Sequence, residues 1–91
     1  MININIVDPV IDKSQLQKTT ADVIYKKHQA EINDIYGMMF EKAETGKCYV
    51  MLYKEPIEEI SWLLLYFRLK GFEVNQFVRS YESKKTIKIS W

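Results

Sequence analysis

The stretch KCYVMLYKEPIEEISWLLLYFRLKGFEV, residues 47–74, decides the fold, because it runs a strand into a helix and back toward a strand with a punctuating residue at each joint. Over residues 47–54, Cys48, Val50 and Leu52 alternate with Tyr49, Met51 and Tyr53. Apolar side chains therefore fall on both faces, as in a strand covered on both sides. Pro56 suits the first position of a helix, Glu58 and Glu59 suit its positive first turn, and Arg68 and Lys70 suit its last turn before Gly71. This predicts a helix over 56–70. Its centre, ISWLLLYFRL, is apolar nearly all round, so a sheet on one side cannot cover it and a further layer must pack on its back.

Downstream, FEVNQFVRSY and TIKISW read as two strands, 72–81 and 85–91, joined by a polar turn around Glu82, Ser83, Lys84 and Lys85. Ile87, Ile89 and Trp91 share one face of the second strand, which makes Trp91 the last member of a buried row that ties down the chain end.

Upstream, Ser14 and Gln17 have capping-box spacing, and Gly46 supplies a stop. Between them Ile24, His28, Ile32, Ile35 and Met39 recur at steps of three and four. The spacing predicts one long helix over 14–45, about thirty residues and about 45 Å at a rise of about 1.5 Å per residue. A compact domain of this size is about 26 Å across, so such a helix projects beyond its own globule. Gly37, in its middle, marks a close contact, a bend or a break into two helices. Residues 1–13, where Ile2, Ile4 and Ile6 alternate with polar residues ahead of Asp8-Pro9, read as an extended arm that docks on a neighbouring subunit. The expected class is α+β: a long N-terminal helix, then β-α-β-β, with about three strands carrying helices on one face.

Composition bounds the function. Ninety-one residues make one domain, and a chain this short buries only about 60–65% of its unfolded surface. One cysteine, Cys48, and one histidine, His28, leave no disulfide and no metal framework, so self-association is the expected source of extra stability. No segment is long and apolar enough to span a bilayer, and no secretory leader is recognisable, so the expected setting is intracellular or packaged with intracellular products. Residues 1–46 carry five Lys against seven Asp and Glu, net −2, and residues 47–91 carry eight Lys and Arg against five Glu, net +3. Neither half is a strong nucleic-acid footprint.

No catalytic set assembles from these residues. His28 sits on the apolar stripe and reads as packing or interface, Cys48 as a buried inert thiol, and Glu55, Glu58 and Glu59 as solvated partners of a helix start. The chain is expected not to be an enzyme and to hold no cofactor. Aromatic and basic residues do interleave in the second half, at Tyr49, Tyr53, Lys54, Tyr66, Arg68, Phe77, Arg79, Tyr81, Lys84 and Lys88, which keeps single-stranded nucleic-acid binding as a weaker reading.

Gly46-Lys47 before the strand, Leu69-Lys70-Gly71-Phe72-Glu73-Val74 at the helix-to-strand step, and the closing Ile89-Ser90-Trp91 together resemble a group of small proteins of tailed bacteriophages over about the last fifty residues. The resemblance implies a phage protein, either a virion component or an early host-directed product such as an inhibitor or nucleotide sponge, in the host cytoplasm or the virion. It carries over no catalytic residue. Its implied partners are a second copy, other phage proteins or a host protein.

The interface is expected on the two helices, at Ile24, His28, Ile32, Ile35, Met39, Trp62 and Tyr66. Ser14, Gly46, Pro56, Gly71 and Trp91 are expected to hold the elements in place. A charge at Ile32 or Ile35 is then expected to dissociate an assembly and leave the hairpin intact.

Overall fold

The computed structural model describes residues 12–78 and 85–91. The expected arm falls outside these residues except for Asp12 and Lys13, which begin the first helix.

Helix α1 spans Lys13–Lys27 and α2 spans Gln29–Glu44. Strand β1 (Tyr49–Lys54) follows, then α3 (Ser61–Leu69), β2 (Glu73–Val78) and β3 (Lys85–Ser90). The sheet has order β1-β3-β2, and β3 is antiparallel to both neighbours. The chain thus forms a split β-α-β unit, with its last strand inserted between the first two. The α+β class with a small sheet and an N-terminal helical part stands.

The single long helix does not form. His28, at φ −125° and ψ 33°, separates α1 from α2. Its N–H donates to the Ile24 carbonyl at 3.0 Å, and its carbonyl accepts from the Ile32 N–H at 2.9 Å. The break has a packing cause. Turning the chain here lays α1 on α3, where Tyr25 stacks near Tyr66 at 6.4 Å and Ala21 is buried. A straight helix leaves the back of α3 in water. Gly37 lies within a continuous α2 and breaks nothing.

The start signals also shift. Asp12, not Ser14, caps α1, its carboxylate accepting the Gln15 N–H at 2.9 Å, and Ser14 is exposed within the first turn. Helix α3 begins at Ser61, so Pro56 lies in the preceding turn and not at a helix start. Glu58 and Glu59 precede the helix as well. The Glu59 carboxylate accepts both the Ser61 hydroxyl at 2.6 Å and the Ser61 N–H at 2.7 Å. These bonds from Ser61 lower its pKa, so this contact is present at neutral pH and is lost as pH falls through the depressed value.

Gly46 and Gly71 hold as stops. Their φ angles are 88° and 96°, and in each case the glycine's own N–H and that of the following residue donate back to helix carbonyls, as in Gly71 to Arg68 at 3.0 Å and Phe72 to Phe67 at 3.0 Å.

The core lies between one sheet face and the helices. Val50, Leu52, Val74, Ile87 and Ile89 point inward, with Val50 and Val74 on either side of Ile89. They meet α2 through Ile32, Ile35 and Met39, and α3 through Leu63 and Phe67. Strand β1 is therefore covered on one face only, correcting the expectation of two: Tyr49 and Tyr53 are exposed and Met51 is half-buried. Of the predicted strand 72–81, the described part pairs over 73–78, and the turn lies outside the described residues.

One substitution follows from the unbroken α2. Nothing lies within 4 Å of a Cβ placed on Gly37. Gly37→Ala is expected to stabilise the chain by about 0.5–1 kcal/mol, by restricting the unfolded state and favouring the helix. The thermal midpoint should rise by a few degrees; a fall would show that a contact needs the glycine.

Candidate interaction surface

The helical residues expected at an interface are mostly committed to the core. Ile32, Ile35, Met39 and Tyr66 are buried, while Ile24, His28 and Trp62 are half-buried. The flat His28 ring lies on Trp62 at a centroid distance of 3.8 Å and an angle of 3°, pinning the joint between α1 and α2 against α3. Trp62, Tyr66 and Leu69, at helical spacing, are the back of α3 that α1 covers. The Tyr66 hydroxyl sits 3.3 Å from that of Tyr36, and burial, then this hydrogen bond, push its pKa well above the ordinary phenol range. It is a packing group and no base at neutral pH.

Two apolar hollows remain on the helical side. One of about 450 Å³ lies between α1 and α3, where Leu16 and Leu65 are exposed beside Leu69. Another of about 260 Å³ is lined by Tyr36, Met39, Phe40, Ala43, Phe72 and Trp91. Trp91 is thus not fully buried: it stays 42% exposed although it continues the Ile87 and Ile89 row. What holds this residue is its backbone, the Trp91 N–H donating to the Cys48 carbonyl at 2.9 Å. Cys48 itself is exposed, contrary to the expected buried thiol.

The other sheet face is open among the described residues. Its side chains form a grid set by register: Tyr49, Ser90 and Glu73 in one row, Met51, Lys88 and Asn75 in the next, Tyr53, Thr86 and Phe77 in the third. The corners are three aromatic rings and one carboxylate, and the centre is Lys88. Tyr53 is 65% exposed, Phe77 45% and Tyr49 36%, whereas Thr86 between two rings is only 8% exposed. The Lys88 ammonium rests 4.8 Å from the centroid of the Tyr49 ring. No carboxylate among the described residues forms an ion pair with it, and the pair of Lys54 with Glu31 lies on the helical side.

The chain matches no protein-family model, no curated protein and no solved structure. Among the described residues, no cluster of three or more His, Cys, Asp and Glu side chains is placed to hold a metal, and no helix is long and apolar enough to cross a membrane.

Of the interleaved aromatic and basic residues, the structure brings Tyr49, Tyr53, Phe77 and Lys88 to one surface and takes Lys54, Tyr66 and Arg68 away, while Arg79, Tyr81 and Lys84 lie outside the described residues. Tyr66 enters the core, and Arg68 donates to the Val74 carbonyl at 3.1 Å. Reasoning from sequence missed the central place of Lys88, since chain order does not say that β3 lies between β1 and β2. The signal available was parity: Tyr49, Met51 and Tyr53 share a face opposite to Val50 and Leu52.

Proposed function

We propose that this chain is a non-catalytic interaction module whose working surface is the open face of its sheet. The observation that carries the reading is the exposure of Tyr49, Tyr53 and Phe77 around Lys88 on a face that the helices leave uncovered. Large exposed apolar groups gathered on one face mark a binding surface. The phage setting, as a virion component or a host-directed product, rests on the sequence resemblance and belongs to this proposal.

A second reading, self-assembly through α1 and α3, is favoured by Leu16 at 59% and Leu65 at 44% exposure beside the hollow between those helices. It moves the expected oligomer interface from the buried stripe to the outer seam.

The first reading is tested by Tyr53→Ser with Phe77→Ser. Side chains kept for binding contribute little to folding, so each change should cost about 1 kcal/mol or less, the scale of a cross-strand pair. The double variant should also lose its place when phage particles and infected-cell lysate are fractionated beside the wild type. A loss of several kcal/mol, or unchanged fractionation, rejects the sheet face as the working surface.

A further inference from the structure

We propose that the open sheet face binds single-stranded nucleic acid, with bases stacked on Tyr49, Tyr53 and Phe77 and backbone phosphate at Lys88. The proposal rests on the reading of that face as the working surface and names its ligand class.

Three properties of the grid carry it. First, the rings are spaced as separate platforms. Tyr49 and Tyr53 stand four residues apart on β1, about 13 Å, and Tyr53 and Phe77 stand two strand spacings apart, about 10 Å. A strand with splayed bases meets them one at a time, and an exposed ring stacks any base, so recognition is sequence-tolerant.

Second, Lys88 rises from the centre of the grid and leans its ammonium over the corner Tyr49 ring, with no ion-pair partner among the described residues. Tyr49, Lys88 and Phe77 form a diagonal of the grid, with Tyr53 beside its end. A strand whose backbone passes Lys88 can turn its lateral bases toward rings on either side of that cation. Glu73 occupies the remaining corner and repels the backbone from it, which sets the direction of the path.

Third, charge argues against a second copy on this face. Two such sheets packed face to face lie about 10 Å apart, and closing them shuts two Lys88 ammoniums, neither with an ion-pair partner in its own chain among the described residues, where water is excluded. A polyanion neutralises the same group.

The test is fluorescence anisotropy of the full chain with a labelled oligothymidylate and with duplex DNA of the same length. Binding of the single strand at low salt is expected, weakening as salt rises with a shallow slope, about −0.7 per phosphate contact. Tyr53→Ala and Phe77→Ala should each weaken it by about 5- to 100-fold. Lys88→Gln should weaken it and flatten the salt dependence, and Glu73→Gln should strengthen it. Glu73, Tyr53 and Phe77 are exposed and Lys88 is half-buried, and a cooperative melt shows that each variant is folded. No binding at low salt by folded wild type, equal binding of duplex, or wild-type binding by both ring variants overturns the proposal. If the ring variants instead dissociate a self-assembly seen in sedimentation, the nucleic-acid ligand is rejected while the sheet face remains the working surface.

Discussion

Phe67→Ala is expected to remove most of the stability of this chain. Phe67 has no exposed surface and packs edge-on to three rings, Tyr66 at 5.1 Å, Tyr36 at 5.4 Å and Phe72 at 5.9 Å. It is the point at which α2, α3 and the entry to β2 meet. Deleting a buried phenyl ring costs about 3–5 kcal/mol through lost transfer energy and the cavity left behind. Each edge-to-face pair contributes about 0.5–1.5 kcal/mol beyond area, part of which is lost as well. Domains are stable by about 5–15 kcal/mol, and a small one lies toward the lower end, so the variant should unfold at well under half the denaturant concentration of the wild type. Phe67→Leu, which keeps most of the volume, should cost appreciably less. Equal midpoints for Phe67→Ala and wild type would show that the aromatic cluster does not organise the core.

The parts of this fold that were legible in sequence are those decided by neighbours along the chain. Gly46 and Gly71 end helices because a left-handed residue is needed to turn the last N–H groups back, and glycine adopts it without a Cβ clash. The alternation in β3 placed Ile87 and Ile89 together on one buried face because strand geometry allows no other parity, whereas β1, apolar on both faces, left its inward side undecided. What was not legible depends on contacts distant in sequence. The apolar stripe from Ile24 to Met39 has its one glycine at Gly37 and no Gly or Pro beside His28, so no local signal ends the helix there. The information lay instead in a mismatch between two elements: α3 was too apolar to be covered by a sheet, and the upstream helix, at about 45 Å by rise per residue, was too long for its globule. A break that folds one onto the other resolves both without a second chain. Strand order has the same character. The central position of β3, and with it the placing of Lys88 among three rings, follows from pairing that no local pattern encodes.

That correction reverses the expected outcome of a charge at Ile32. On a projecting helix, Ile32→Glu separates subunits and leaves each one folded. In the structure Ile32 has no exposed surface and sits one turn beyond the His28 break, in the same core as Ile35 and Leu63. A glutamate there faces two outcomes. Ionised, it is an unpaired buried charge, of the kind that destabilises folded proteins by about 3–5 kcal/mol. Neutral, it has its pKa raised, and it still loses the packing of the isoleucine and brings a polar group without a partner. With a raised folded-state pKa, the variant is least unstable below the ordinary carboxylate range and worsens as pH rises through it. Ile32→Glu should therefore lack a cooperative melt at neutral pH, whatever the protein concentration. The contrast is Leu65→Glu on the outer side of α3, where 44% exposure lets the carboxylate remain in water. That variant should keep a melt close to the wild type, and sedimentation of both at micromolar concentration then reports any assembly through the α1 and α3 seam without the confusion of unfolding. A cooperative, wild-type-like melt for Ile32→Glu would return Ile32 to the surface and restore the projecting helix.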